Sequence, residues 1–149
     1  MAAALPPQLS EIVEDFNALA EPERLELLLE FSDGLPELPE RLAGHPELLE
    51  QVVECQSPVF LALEVGTGPD RPVRLYFSAP REAPTTRGFA GVLHEGLDGL
   101  PAADVLAVPD DMPHQMGLTR AITPLRMRGM AAMLDRIKRQ VREALASGD

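Results

Sequence analysis

The stretch VFLALEVGTGPDRPVRLYF, residues 59–77, contains two short runs in which apolar residues occupy every second position. Such alternation is typical of β-strands that bury one face. The two runs are separated by GTGPD at residues 66–70, a segment made almost entirely of turn-forming residues. The stretch therefore predicts an antiparallel hairpin, and the rest of the chain is interpreted around it.

Apolar residues at helical spacing precede this hairpin. The first helix is predicted to begin within residues 7–10, and the second at Pro22, a residue that suits the first position of a helix. We expect Gly34 to end the second helix, because glycine readily takes the left-handed conformation just past a helix end. A proline-rich loop over residues 35–46 and a short helix over residues 47–53 are predicted to follow.

Helical patterns also follow the hairpin. Thr85 or Thr86 is expected to cap a third helix, and residues 101–106 are predicted to form a short one. The last helix has the clearest pattern, with Thr123 as its cap and Pro124 in its first position. Its apolar stripe, which we interpret as core packing rather than a cofactor site, consists of Met127, Met130, Leu134, Ile137 and Val141.

The order of these elements predicts an α+β fold. Two helices, a small antiparallel β-sheet and several further helices follow one another, an arrangement in which the helices pack on one face of the sheet. A chain of 149 residues suits one domain over residues 1–149. Residues 146–149 are expected to form a frayed tail.

Charge and composition exclude several classes of partner. The net charge is −11, and such a surface repels phosphate backbones, so no nucleic acid partner is expected. No apolar run approaches the ~20 residues of a membrane helix, and residues 1–5 lack the pattern of a secretory signal. The single cysteine fits a reducing compartment. We therefore expect a cytoplasmic protein without a membrane partner.

The ligand inventory excludes a resident metal. His45, His94 and His114 are scattered at no ligand spacing, and one cysteine cannot supply the ligand set of a structural zinc site or an iron–sulfur cluster. The chain also lacks a glycine-rich phosphate loop and the usual hydrolase and zinc-protease motifs. No metal and no bound cofactor are predicted.

Cys55 is the residue with the clearest chemical potential. Free cysteine is often an inert core residue, and from composition alone that interpretation would stand. The neighbours of Cys55, however, are the polar residues Glu54, Gln56 and Ser57, and the cysteine lies just before the alternating strand rather than inside it. A cysteine on a polar loop is placed to react rather than to pack.

A reactive cysteine attacks as the thiolate, which nearby positive charge stabilises. Arg126 and Arg128 lie at the start of the last helix, and Arg87 lies at the start of the third. Helix starts also contribute unpaired N–H groups and the positive end of the helix dipole. These arginines are candidate partners of Cys55, although each is also compatible with a solvated surface role.

The segment VECQSPVFL, residues 53–61, resembles the cysteine motif of the SufE family, whose members accept sulfur from cysteine desulfurases. The resemblance extends from about Leu9 to Leu145. It includes Leu35-Pro36 after the second helix, TRGF at residues 86–89 and ITPLRMRGM at residues 122–130. The Cys-Gln-Ser motif alone is weak evidence, but its combination with the later Thr-Pro-x-Arg-x-x-Gly segment is specific.

The resemblance implies an α+β fold similar to SufE and to NifU- or IscU-type scaffold proteins. It implies that Cys55 takes persulfide sulfur from a SufS-like or CsdA-like cysteine desulfurase, stimulates that enzyme, and passes the sulfur to a SufBCD-like scaffold complex. Gln56 and Ser57 would support the sulfur-carrying loop, and Arg126, with Arg87 as a weaker candidate, would serve as charge partner or docking residue. Such a carrier needs a thiolate and no metal, and no independent turnover is expected.

The sequence departs from the family pattern beside the cysteine. Glu54 occupies the position where the family usually has glycine, and its charge would oppose thiolate formation. Leu125 replaces the usual serine before Arg126. Two other functions remain open: an interaction module in which the cysteine is incidental, and a thiol redox sensor that peroxide would oxidise.

Overall fold

A computed structural model describes residues 5–147 of the chain. The described chain contains five α-helices and a three-stranded antiparallel sheet, which confirms the predicted α+β class. In chain order, the elements are α1 (Pro7–Ala18), α2 (Glu21–Gly34), β1 (Glu50–Gln51), β2 (Phe60–Val65), β3 (Val73–Ser78), α3 (Pro84–Leu97), α4 (Ala102–Ala107) and α5 (Pro124–Ala146).

The predicted hairpin is confirmed as β2 and β3. These strands pair antiparallel with Leu61 opposite Phe77 and Leu63 opposite Leu75, and β1 adds to the other edge of β2. Val73, Leu75 and Phe77 are buried, whereas Arg74 between them is exposed. One face of the sheet therefore packs on the helices, and the other face lies toward solvent.

The core between the sheet and the helices is built largely from α3 and α5. All five residues of the predicted apolar stripe of α5 are buried. Helix α3 lies very close to α2. The approach is so close that a Cβ atom at Gly88 or Gly91 would collide with the backbone of Leu28 or Phe31, respectively. The glycines that weaken α3 as an isolated helix therefore permit this close helix packing.

Several predicted element ends are wrong. Gly34 belongs to α2 and does not adopt a positive φ; the helix ends instead at an extended Leu35. Helix α3 begins at Pro84 after Ala83 and has no side-chain cap, so Thr85 and the buried Thr86 both lie inside the helix rather than capping it. Residues 47–53 do not form one helix but divide into the end of a 3₁₀ helix, the short strand β1 and the start of a second 3₁₀ helix.

The predicted tail over residues 146–149 is only partly covered by the structure. Helix α5 runs from its Thr123 cap, whose side chain accepts a hydrogen bond from the Arg126 amide, through Ala146. The Ser147 hydroxyl donates to the Ala144 carbonyl at 2.8 Å. Residues 148–149 of the predicted frayed tail lie outside the described residues.

Candidate functional site around Cys55

Cys55 lies in a short excursion between two paired strands. The excursion is closed at its base by a 2.8 Å hydrogen bond from the Val52 amide to the Val59 carbonyl. Within it, Val53–Cys55 forms a 3₁₀ helix, so that the Cys55 amide donates to the Val52 carbonyl at 3.1 Å. The loop predicted from polar neighbours is therefore a compact turn with its ends fixed to the sheet.

The turn requires a left-handed residue, but at Gln56 rather than at Glu54. Gln56 has a φ of 57°, and it directly follows the 3₁₀ helix. Glu54, which occupies the glycine position of the family pattern, does not adopt a positive φ. Its substitution for glycine therefore introduces no backbone strain, and its consequence is one of charge.

The thiol of Cys55 rests against a glycine of α5. The Sγ atom lies 3.7 Å from the Gly129 carbonyl oxygen, toward which the thiol donates. A Cβ atom on Gly129 would lie only 3.1 Å from Sγ, so a side chain at this position would crowd the thiol. Cys55 is half-buried in this position against Gly129, which we call its resting seat.

A polar cleft of about 510 Å³ opens beside the thiol. The 54–57 segment forms one wall, and the segments that begin α3 and α5 form the others, including Glu82 and Arg126. The structure therefore brings Cys55, Gln56, Ser57 and Arg126 to one cleft. In the described residues, no side-chain hydrogen bond is formed by Gln56, Ser57 or Arg126 to another protein group.

The resting environment disfavours the thiolate. Burial, followed by the negative charge of Glu54, raises the pKa of the Cys55 thiol from 9.0 to about 11, and the charge of Arg136 acts in the opposite direction. A thiol with this pKa is ionised in about 1 molecule in 3,000 at pH 7.5. The unfavourable effect of Glu54 agrees with the prediction from its charge.

Arg136, which sequence reasoning missed, is the cation that acts on this thiol. Its Nη1 atom lies 2.7 Å from Glu54 Oε1, and its Nε atom donates to Glu50 Oε2 at 3.0 Å. Arg126 shares the cleft but is not among the charges that shift the Cys55 pKa. Arg136 lies about two helical turns after Gly129 and so on the same face of α5, but the contact of Gly129 with Cys55 arises only in the fold, so the sequence carried no signal for this role.

The structure corrects the role of Arg87. Its side chain is only 5% exposed, and its guanidinium donates to the carbonyl oxygens of Ser32, Ala79 and Leu35 at 2.6–3.3 Å. These bonds connect α3 to the end of α2 and to the segment after β3. Arg87 is therefore a buried structural residue and not a charge partner of Cys55 or an accessible docking residue.

Two large apolar side chains near Cys55 are exposed. Val53, in the 3₁₀ helix, is 62% exposed, and Leu125, in the first turn of α5, is 42% exposed. Leu125 lines the cleft, and Val53 lies two residues before Cys55 in the same 3₁₀ helix. Both add apolar area near the cysteine that a partner protein could cover.

Metal and membrane features are limited within the described part of the chain. No group of three or more His, Cys, Asp and Glu side chains in residues 5–147 is arranged to hold a metal ion. Over the same residues, no helix combines the length and the apolarity that crossing a membrane would require.

Comparison with known proteins identifies relatives over nearly the whole chain. Residues 10–141 match the SufE family, described as an Fe–S metabolism associated domain. An uncharacterised SufE-like protein of Mycobacterium tuberculosis is 56% identical over 142 residues, which cover 95% of this chain and 96% of that protein. The Arabidopsis thaliana SufE-like protein 1, chloroplastic/mitochondrial, is 26% identical, but the matched region is only 38% of its length.

A solved structure agrees with the fold. The solution structure of a hypothetical protein from Thermus thermophilus superposes with a TM-score of 0.82 at 42% sequence identity. The superposition covers 96% of this chain and 99% of that protein. The similarity therefore extends over the helices and the sheet that together hold the Cys55 turn.

Proposed function

Because the chain belongs to the SufE family and thus to Fe–S metabolism, we propose that it accepts sulfur from a cysteine desulfurase on Cys55. The observation that carries this proposal is the position of its one cysteine, which lines a polar cleft together with the exposed Leu125 and Arg126. A sulfur acceptor needs a thiol that a partner protein can reach. A lone cysteine also has no neighbour with which to form a disulfide, so an acquired sulfur is retained.

The transfer is a thiol–disulfide type of exchange between two proteins. The Cys55 thiol first loses its proton to a base or to solvent, and the thiolate attacks the outer sulfur of a desulfurase cysteine persulfide. A new sulfur–sulfur bond forms on Cys55 as the bond in the donor persulfide breaks. The desulfurase cysteine leaves as a thiolate, so electrons balance without an oxidant, a reductant or a metal.

The raised pKa fits a carrier that reacts only when docked. In the resting seat the thiol is mostly protonated, which protects it from peroxide and from stray disulfides. This protection disfavours the redox-sensor alternative, because a peroxide sensor needs a thiolate at rest. Transfer then requires that the partner move Cys55 from Gly129 or bring positive charge to it.

The surface around the cleft supports docking by a desulfurase of the SufS or CsdA type. Val53 and Leu125 provide apolar area, and the exposed Arg126 and Arg128 provide positive charge beside it. Arginine is enriched in protein interfaces relative to the rest of the surface. Arg126 is thus a proposed docking residue that also faces the cleft in which a persulfide would lie.

The remaining parts of the proposal follow from the family. The sulfur on Cys55 would pass to an iron–sulfur scaffold complex of the SufBCD type, in the cytoplasm. Gln56 and Ser57 would hydrogen-bond the persulfide or hold the turn, since both line the cleft. The protein would stimulate its desulfurase by removing sulfur, without turnover of its own and with a transient persulfide as its only added group.

Sulfur acceptance can be tested by intact mass. The protein is mixed with a desulfurase and free cysteine, and its mass is measured without reductant. We expect a gain of one or more sulfur atoms that dithiothreitol removes and that Cys55→Ser abolishes. An interaction module would instead bind its partner equally well with either residue, and no mass gain with any desulfurase would refute the proposal.

A further inference from the structure

We propose that Arg136 is a positioning residue that, by pairing with Glu54, holds the Cys55 turn in its resting seat on α5. The pair would act as a latch that opens when a partner draws Glu54 away. This inference rests on the proposed function for its purpose, but the latch itself is a property of the isolated protein.

The ion pair has one fixed side and one movable side. The Arg136 side chain is 18% exposed and is also bound by Glu50 of β1. Glu50 in turn accepts a hydrogen bond from Gln140 at 2.8 Å and pairs with Arg139, so Arg136 is oriented from the sheet and from its own helix. Glu54 is 44% exposed and has only Arg136 as an ion-pair partner among the described residues.

The movable side of the pair is directly joined to the thiol. Glu54 and Cys55 are consecutive residues of one 3₁₀ helix, which continues into the left-handed Gln56. Two polar contacts join this packed turn to α5: Cys55 Sγ to the Gly129 carbonyl oxygen and the Glu54 carboxylate to Arg136. Because adjacent residues make these contacts, displacement of one loosens the other.

The charges around the turn give the latch a measurable electrostatic effect. The groups that face Cys55 are Glu54 in its own turn and Arg136 from α5, and the cleft adds Glu82 and Arg126. Neutralising Glu54 removes a repulsive charge and also releases the turn from burial. Both effects lower the Cys55 pKa, whereas loss of a purely structural contact elsewhere on α5 would leave it unchanged.

Opening of the turn is best measured by amide hydrogen exchange over residues 52–59 in the purified protein. Arg136→Gln and Glu54→Gln should each accelerate this exchange about twofold to fivefold, as expected for loss of a partly exposed ion pair. Arg136→Lys, which keeps the charge, should accelerate it less than Arg136→Gln. Arg142→Gln is the matched control and should leave the exchange unchanged, because Arg142 is an exposed arginine of α5 that pairs with neither Glu50 nor Glu54 among the described residues.

The double variant separates a latch from two independent roles. If the residues act through each other, Glu54→Gln combined with Arg136→Gln should exchange no faster than the faster single variant. Labelling of Cys55 with 4,4′-dithiodipyridine across pH 6–10 provides the second readout, and Glu54→Gln should label at least threefold faster at pH 8. Circular dichroism verifies folding, and Glu54→Gln, at an exposed position, carries the test if Arg136→Gln does not fold.

The proposal is overturned if Glu54→Gln leaves both exchange and labelling at wild-type values, or if the effects of the two substitutions multiply. Persulfide transfer from a desulfurase is measured on the same samples. A working latch in a protein that accepts no sulfur would refute the proposed function alone. Normal sulfur acceptance without any effect of these substitutions would refute the latch alone.

Discussion

Gly129→Ala should increase the reactivity of Cys55 in the free protein. The added methyl group would lie 3.1 Å from Sγ, a few tenths of an ångström closer than ordinary packing, and 3.4 Å from the Cys55 Cα, at the limit of ordinary contact. The helix backbone is fixed by its own hydrogen bonds, so we expect the Cys55 turn to move outward. Greater exposure would then return the thiol pKa from about 11 toward its ordinary value of 9.0.

The size of the effect follows from the pKa. A full return of the pKa to 9.0 would raise the thiolate fraction at pH 7.5 about 100-fold. A less basic thiolate is also a weaker nucleophile, which would reduce this gain in rate by a factor of about ten. We therefore expect up to about tenfold faster labelling. Stability should change by less than about 2 kcal/mol, because the better helix propensity of alanine opposes the cost of displacing the turn.

The assay is the rate of reaction with 4,4′-dithiodipyridine at pH 7.5, combined with thermal unfolding. Gly34→Ala is the matched control: it also replaces glycine by alanine at a helical position, but its new Cβ meets no atom within 4 Å. The control should not change the labelling rate. An unchanged rate in folded Gly129→Ala would show that the turn accommodates the methyl group, and the reasoning about the seat would be wrong.

The other predictions concern stability, pH and docking. Arg87→Met should destabilise the fold by about 2–4 kcal/mol, because buried carbonyl oxygens lose their donors; urea unfolding measures this, and a loss below about 1 kcal/mol would contradict it. The pKa of Cys55 is raised in the folded protein, so its contribution to stability is complete below pH 9 and is lost as the pH rises toward 11. The free energy of unfolding should fall by about 1–2 kcal/mol over this range, after allowance for exposure. Cys55→Ser should abolish this pH-dependent loss. Leu125→Asp should weaken desulfurase binding about tenfold by calorimetry, whereas Leu29→Asp, at an equally exposed position outside the cleft, should not; equal effects would exclude the proposed docking surface.

The elements that sequence predicted well are those whose signals are local. The hairpin and α5 have regular apolar periods, and Thr123 lies where its side chain reaches the helix amides. The caps proposed at Thr85 and Thr86 failed because Thr86 is buried against the core, a fact that depends on the packing of α3.

The part of the candidate site that the sequence predicted is the part with a local signal. The position of Cys55 in a polar turn is visible from its neighbours, and the family pattern brought Arg126 to it. The pairing of Glu54 with Arg136 joins residues far apart in the chain, and no local pattern predicts it. The buried role of Arg87 likewise depends on carbonyl groups that three separate segments bring together.

Transfer of radioactive sulfur from ³⁵S-labelled cysteine tests the central claim most directly. A desulfurase loaded with labelled persulfide is mixed with the protein, and the two are separated under non-reducing conditions and digested. The account predicts label on the peptide that contains Cys55, its release by dithiothreitol, and no label on Cys55→Ser. Label that stays on the desulfurase with the wild-type protein would contradict the assignment of Cys55 as a sulfur acceptor.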